Sequence, residues 1–241
     1  MKVLAMDTSN QAMSIAVLEN KRVIGEWTTN IKRNHSERLM PAIDALLKEV
    51  NESPEQLDRI VVAKGPGSYT GLRIGVTTAK TLAWTLGKEL AGVSSLETLA
   101  ANCVGTRAFI VPLFDARRGN IYTGLYQYDE QGQLQQIEED THISAEQWAE
   151  YLSRKEGQFV LVGEDVEQYL ETFRQYLQER VTAAPSQQHL PRASVLGLLG
   201  QEKAAEDVHT FIPDYLKLAE AEENWRKAHP NELEDAYVEK I

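Results

Sequence analysis

Residues 64–90 of the chain read KGPGSYTGLRIGVTTAKTLAWTLGKEL, and this stretch decides the fold. The run just before it, residues 59–63, is largely apolar and β-branched, which predicts a strand. Thr70 is placed to cap a helix that runs over residues 71–87. Gly65, Gly67 and Gly71 remove side chains from the turn between strand and helix. The three segments are therefore placed for close approach of another backbone or of an anion.

The glycine turn matches neither of the common nucleotide-binding motifs. A Walker phosphate-binding loop ends in Gly-Lys-Ser or Gly-Lys-Thr, whereas Gly71 is followed here by Leu72 and Arg73. The spacing G-x-G-x-x-x-G also misses the dinucleotide pattern G-x-G-x-x-G by one position. Spacing alone therefore favours a tight structural turn over a nucleotide cradle.

Composition limits the class of protein. The chain has 241 residues, 42% of them hydrophobic, which is enough to bury the core of one large domain or of two compact lobes. A net charge of -11 argues against unaided binding to nucleic acid or to an anionic membrane. Cys103 is the only cysteine, so no intrachain disulfide is expected, and no apolar run is long enough to span a bilayer. We therefore expect a cytoplasmic protein that contacts no membrane.

The second half of the chain repeats the outline of the first. Each half predicts three strands, a helix, a strand and a helix, and each places an aspartate at the end of its first strand, Asp7 and Asp115. The predicted domains are residues 1–105, residues 106–210, which include a helix at 193–205, and an acidic segment, 211–241, that packs back or is loosely held. Two such lobes, each a mixed sheet with flanking helices, indicate an α/β protein of actin-like, Hsp70-like or sugar-kinase architecture.

Five stretches resemble the TsaB (YeaZ) family of bacterial tRNA threonylcarbamoyladenosine synthesis. They are MDTS at residues 6–9, NHSERLMPAIDALL from Asn34, the glycine turn and helix from Lys64, DARRGNIYTGLY from Asp115 and PDYLKLAEAE from Pro213. The resemblance implies the same two-lobed actin-like fold. It also implies a relationship to TsaD, the subunit thought to transfer the threonylcarbamoyl group to adenosine beside the anticodon.

The same resemblance implies which chemistry is missing. TsaD carries His-x-x-x-His, two imidazoles that can bind a metal, where this chain has Ser95 and Leu99. The five histidines of the chain are scattered, and none lies four residues from another. We therefore expect no bound metal, no cofactor and no transfer activity from this chain alone.

The first enzymatic alternative is a nucleotide-dependent phosphotransferase. Its weak cleft candidates are Asp7, Thr8, Ser9 and Asp115, because carboxylates in actin-like enzymes position a metal-bound nucleotide. An aspartate at a strand exit is also a common turn residue that accepts hydrogen bonds from nearby backbone N–H groups. We favour the structural role for both aspartates.

The second enzymatic alternative is a metal-dependent, glycopeptidase-like hydrolase that uses the run His35-Ser36-Glu37. Neighbouring side chains on a helix point about 100° apart, so Ser36 does not easily face His35 as a nucleophile faces its base. Ser36 is better explained as a helix N-cap, with Glu37 favourable in the first turn.

The favoured interpretation is a noncatalytic partner subunit that binds and activates a TsaD-like transferase. A TsaE-like ATPase would join the two in a larger complex, and the chain would contact tRNA only through that complex. A homodimer formed through the transferase-binding face would compete with the complex. By resemblance, the helices predicted at 36–50 and 71–87 form the interface. The candidate interface residues are His35, Arg38, Met40, Leu47, Ala79, Lys80, Ala83 and Trp84. The five apolar candidates, Met40, Leu47, Ala79, Ala83 and Trp84, are expected to lie on the exposed surface. The alternative left open is that they are buried in the core.

Overall fold

The computed structural model describes residues 1–217, which form two lobes, each built on a five-stranded mixed sheet. Lobe I contributes the elements β1 (Lys2–Asp7), β2 (Met13–Glu19), β3 (Arg22–Thr29), α1 (His35–Glu49), β4 (Arg59–Gly65), α2 (Tyr69–Leu86), β5 (Glu89–Ser94) and α3 (Ser95–Ala100). Its strands lie in the order β3-β2-β1-β4-β5. Strands β1 to β3 pair antiparallel, and β1, β4 and β5 pair parallel.

Lobe II repeats this arrangement. Its elements are β6 (Phe109–Asp115), β7 (Asn120–Tyr128), β8 (Leu134–Ser144), α4 (Ala145–Ser153), β9 (Phe159–Val162), α5 (Val166–Leu177), β10 (Val181–Ala183) and α6 (Ala193–Glu202). The strand order β10-β9-β6-β7-β8 is that of lobe I read from the other edge. The predicted two-lobed actin-like fold, with a mixed sheet and flanking helices in each lobe, is confirmed.

Four local details differ from the sequence-based expectation. Helix α1 is capped by Asn34, whose side chain accepts a bond from the Ser36 N–H, and not by Ser36 itself. The cap of α2 is Ser68, whose hydroxyl accepts a bond from the Gly71 N–H, so the helix begins at Tyr69 and not beyond Thr70. Strand β8 extends to Ser144, because it pairs with β7 along most of its length. Its charged residues obscure the alternation of apolar and polar side chains by which an edge strand is recognised in a sequence. Strand β10, only three residues long, gave no pattern to detect.

The last helix of each lobe packs on the sheet of the other lobe. Helix α3 packs on lobe II, where Leu96 and Leu99 belong to a buried cluster with Ile110. Helix α6 covers the face of the first sheet opposite α1 and α2. The buried cluster there consists of Val3, Ala5, Ala16, Leu18, Val61, Ala63, Ala91, Val93, Ala193 and Leu196. The predicted domains, residues 1–105 and 106–210, stay a prediction, and α3 of the first and α6 of the second each pack across on the other sheet. The position of a helix in the sequence does not indicate on which of the two sheets it packs.

Two glycines let α6 lie close to the first sheet. A Cβ on Gly197 would lie 2.4 Å from Leu18 Cδ1, and one on Gly200 would lie 2.3 Å from Val61 Cγ1. The C-terminal end of α6 is fixed by Arg59, whose guanidinium donates to the carbonyl oxygens of Gly200 and of residues 201 and 203. This arginine side chain thus satisfies carbonyl groups that a helix end leaves without partners.

Residues 203–217, here called the strap, return along lobe I towards the cleft between the lobes. Glu206 forms an antiparallel bridge with Leu90 of β5, and the Asp214 N–H donates to the Lys64 carbonyl at 2.7 Å. The ring of Phe211 packs on β5 and is almost fully buried. Of the predicted C-terminal segment, residues 211–217 lie on lobe I, and residues 218–241 lie outside the described part of the chain. No helix within residues 1–217 has the length and apolarity needed to cross a membrane.

Candidate functional site

The glycine turn before α2 packs against the turn that follows β1. The Ser68 N–H donates to the Ser9 carbonyl at 2.7 Å, and the Thr8 hydroxyl donates to the Gly71 carbonyl at 2.7 Å. A Cβ on Gly67 would lie 2.3 Å from the Ser9 carbonyl oxygen, and one on Gly71 would lie 2.1 Å from that of Thr8. Glycine is therefore required here for contact between two turns of the same chain.

Asp7 and Asp115 make the same local bond at the ends of the first strands of their lobes. Asp7 Oδ1 accepts from the Ser9 N–H at 2.8 Å, and Asp115 Oδ1 accepts from the Arg117 N–H at 2.8 Å. Asp115 Oδ1 also accepts from the Tyr169 hydroxyl at 2.6 Å. Each carboxylate thus holds the turn two residues beyond it, which is a structural use of an aspartate at a strand exit.

Burial separates Asp7 from its counterpart. Asp7 is fully buried, and its Oδ2 has no hydrogen-bond partner within residues 1–217. Burial raises the pKa of Asp7, an effect only partly opposed by the bonds from Ser9 and by the nearby His35. The shift favours the neutral carboxylic acid, which is a weaker ligand for a metal-bound nucleotide than a carboxylate is.

The raised pKa of Asp7 predicts a stability loss as pH increases. Below the ordinary value of 3.8 the group carries a proton in both states. Above it the unfolded chain releases the proton first, so the free energy of unfolding falls with rising pH until the buried group also ionises. The Asp7→Asn variant, which keeps the Oδ1 acceptor, is expected to gain stability relative to the wild type as the pH rises above the ordinary aspartate pKa of 3.8, measured by urea unfolding.

Asp115→Asn is the matched control for this series, because it preserves an equivalent turn bond at a position that is only partly buried. Its stability difference from the wild type is expected to change less with pH. An equal pH dependence for the two variants would contradict the assignment to Asp7 burial.

Three of the eight predicted interface residues lie in the core of lobe I. Leu47, Ala79 and Ala83 are 4%, 0% and 1% exposed, so the expectation that they form an exposed surface is wrong. Ala79 and Ala83 continue a buried line of small residues with Gly71 and Gly75, one every fourth position, and this line faces the sheet. Small residues at that spacing were the available sequence signal for the buried face of α2.

The three polar candidates make bonds within the chain. His35 Nε2 lies 2.7 Å from the Asn10 carbonyl oxygen, and since a carbonyl only accepts, Nε2 carries the proton of this bond. The Arg38 guanidinium donates to the Thr29 hydroxyl at 2.7 Å. Lys80 Nζ donates to the Phe211 carbonyl at 2.6 Å and so fastens the strap to α2. These side chains hold α1 and α2 in place, in addition to any contact with a partner.

Met40 and Trp84 are the exposed members of the predicted interface. Met40 on α1 is 47% exposed, and Trp84 near the end of α2 is 68% exposed. The two helices pack beside each other on the same face of the first sheet. The Trp84 ring contacts the edge of the His209 ring in the strap, with 6.4 Å between the ring centres. A large aromatic side chain left this open is typical of a docking anchor.

Comparison with known proteins decides the family. The family model described as TsaD, tRNA N6-adenosine threonylcarbamoyltransferase, matches residues 22–225. The Bacillus subtilis tRNA threonylcarbamoyladenosine biosynthesis protein TsaB is 49% identical over 225 residues, which cover 93% of this chain and 98% of the relative. The chain belongs to the TsaB family. Its similarity to the Escherichia coli TsaB is 34% identity over 169 residues, 68% of this chain and 71% of that one.

A solved structure agrees with the TsaB assignment. YeaZ from Pseudomonas aeruginosa superimposes with a TM-score of 0.75 and 26% identity, covering 89% of this chain and 99% of that one. In this TsaB-family chain Ser95 and Leu99, which the resemblance placed where a TsaD-like transferase would carry its histidine pair, are fully buried in α3. Residues 1–217 contain no group of three or more His, Cys, Asp or Glu side chains placed to hold a metal ion.

Proposed function

We propose that the chain is a noncatalytic subunit of tRNA threonylcarbamoyladenosine biosynthesis that binds and activates a TsaD-like transferase. The observation that carries the proposal is a contrast between fold and site. A transferase family model fits residues 22–225, yet Gly67 and Gly71 pack against the β1–β2 turn, and Asp7 accepts a hydrogen bond from Ser9 within that turn. The names of the two TsaB relatives support the pathway.

The α1–α2 face is the proposed contact with the transferase. Met40 and Trp84 provide its exposed apolar groups. A related lobe with the same two helices offers a surface of matching shape, and a second copy of this chain would compete for it. The net charge of -11 disfavours direct binding to tRNA and supports an arrangement in which tRNA is bound by the complex. A TsaE-like ATPase is a further subunit of the proposed complex. A cytoplasmic location is part of the same proposal.

Reconstitution tests this proposal. The transferase, the ATPase subunit, the enzyme that makes threonylcarbamoyl-adenylate and unmodified tRNA are combined with and without this chain, and threonylcarbamoylated tRNA is measured. We expect modification to need both this chain and the transferase, and the two to elute together in size-exclusion chromatography with light scattering. Modification by this chain without the transferase, or failure of the two to associate, would overturn the proposal.

A further inference from the structure

The end of the strap is held in place beside the start of α2. The rings of Tyr215 and Tyr69 lie 4.9 Å apart between centres, and the Arg73 guanidinium lies 4.4 Å above the Tyr69 ring. Arg73 also donates to the Tyr215 hydroxyl at 3.3 Å. The chain therefore continues beyond Lys217 from a fixed point on lobe I.

Two cavities of opposite charge flank the end of the strap, and Asp214 and Leu216 line both of them. The first, here called the cationic cavity, measures about 430 Å³ and carries the positive charges of Arg117, Arg118 and Lys217. The second, here called the acidic cavity, measures about 530 Å³. Two lysines line the acidic cavity against five carboxylates, those of Glu97, Glu139, Asp140, Glu206 and Asp214.

The carboxylates of the cationic cavity do not cancel its charge. They belong to Asp115 and Asp214, two against three cations. Asp115 already accepts hydrogen bonds from the Tyr169 hydroxyl at 2.6 Å and from the Arg117 N–H at 2.8 Å. A positive cavity in a chain of net charge -11 attracts carboxylates of the same chain.

The β6–β7 turn does not need arginine for its own backbone. Arg117 and Arg118 have φ values of 68° and 56°, in the left-handed region that glycine or asparagine adopts at lower cost. The turn is closed by backbone bonds, among them that from the Asn120 N–H to the Arg117 carbonyl at 3.1 Å. Arginine at these two positions is therefore explained by the charge that it brings to the cavity wall.

The sequence beyond the strap becomes acidic at once. Residues 219–224 read AEAEEN, with carboxylates at Glu220, Glu222 and Glu223. An extended residue spans at most about 3.5 Å, so these three groups lie within about 10–21 Å of Lys217 along the chain. A tether this short gives an effective concentration in the millimolar range. The acidic run is therefore the nearest large source of negative charge for the cationic cavity.

We propose that residues 219–224 occupy the cationic cavity of their own chain as an internal plug. Their carboxylates form charge-assisted hydrogen bonds with Arg117 and Arg118. Repulsion between like charges keeps the run out of the acidic cavity on the other side of the strap. The plug ties the strap of lobe I to the β6–β7 turn of lobe II and closes the cavity to anions from solution.

Hydrogen exchange of the full-length chain, followed by mass spectrometry, tests the plug. We expect the amides of residues 219–224 to exchange at least about tenfold more slowly than those of an unstructured peptide of the same sequence. The double variant Arg117→Gly, Arg118→Gly is expected to lose this protection. Because glycine suits both left-handed positions, the variant keeps the turn, and a cooperative thermal transition checks its fold.

The matched control is Arg154→Gln, Arg174→Gln, which removes the same charge from exposed arginines on α4 and α5. We expect its residues 219–224 to be protected as in the wild type. Lack of protection in the wild type would overturn the plug. Equal loss in the control and in the glycine variant would overturn the assignment to the β6–β7 turn.

A charge exchange tests the pairing itself. Arg117→Glu, Arg118→Glu is expected to abolish the protection, and adding Glu220→Lys, Glu222→Lys and Glu223→Lys to it is expected to restore at least half. A loss of two structural arginines alone would not be repaired by changes beyond the strap. Failure of the combined variant to regain protection would therefore contradict a contact between these charges.

Dilution distinguishes the chain's own segment from that of a second copy. Contact within one chain predicts equal protection at two protein concentrations a hundredfold apart. Protection that disappears on dilution would overturn the internal plug in favour of exchange between two copies. These measurements use the chain alone, so their outcome is independent of whether it activates a transferase.

Discussion

Replacement of Trp84 by glutamate is expected to weaken binding of the proposed transferase partner by about 2–3 kcal/mol, or roughly 30- to 150-fold, without unfolding the chain. The ring is 68% exposed, so its removal costs the free protein little packing. In the proposed complex, a carboxylate at this position would be buried against apolar surface without a partner. Calorimetry with the purified transferase measures the affinity, and thermal unfolding of the variant alone checks the fold.

Ile137→Glu is the matched control for that substitution. Ile137 is also an exposed apolar residue, 42% accessible, but it lies on β8 of lobe II, away from α1 and α2. We expect this variant to bind the transferase as the wild type does. The reverse outcome, with Trp84→Glu neutral and Ile137→Glu impaired, would move the docking surface to the second sheet.

Gly71→Ala is expected to lower the free energy of unfolding by about 3 kcal/mol, and the melting temperature by about 6–12 °C. The added methyl group would lie 2.1 Å from the Thr8 carbonyl oxygen. That atom belongs to the backbone, so relief requires the β1–β2 turn and the start of α2 to move apart. Urea and thermal unfolding measure the loss.

Gly87→Ala provides the comparison for this substitution. Gly87 follows α2 with a φ of 64°, and a Cβ there would meet nothing within 4 Å. Its expected cost is about 1 kcal/mol, from the left-handed backbone alone. If Gly71→Ala costs no more than Gly87→Ala, the two turns are not packed as closely as the structure has them.

The sequence predicted the repeated strand and helix pattern because apolar periodicity reports which residues are buried. It predicted less well which of two hydroxyls caps α2. Ser68 and Thr70 both suit an N-cap, and the choice depends on the bond that Ser68 makes with Ser9 in the facing turn. That contact joins residues far apart in the chain, so local pattern does not contain it.

The interface prediction was limited for a related reason. An apolar residue on a helix can face the core or a partner, and composition does not separate the two. Leu47 and Ala83 are buried, whereas Met40 and Trp84, on the same two helices, are exposed.

The exchange of α3 and α6 between the sheets sets the order in which the lobes are completed during synthesis. Helix α3 leaves the ribosome before the strands of lobe II that it covers, so that lobe can close as soon as β10 has been made. The first sheet must wait for α6, with the apolar groups of Val3, Ala5 and Val61 uncovered until then. In this chain the half that is translated first is finished last, and the nascent first sheet is the surface that a chaperone would find.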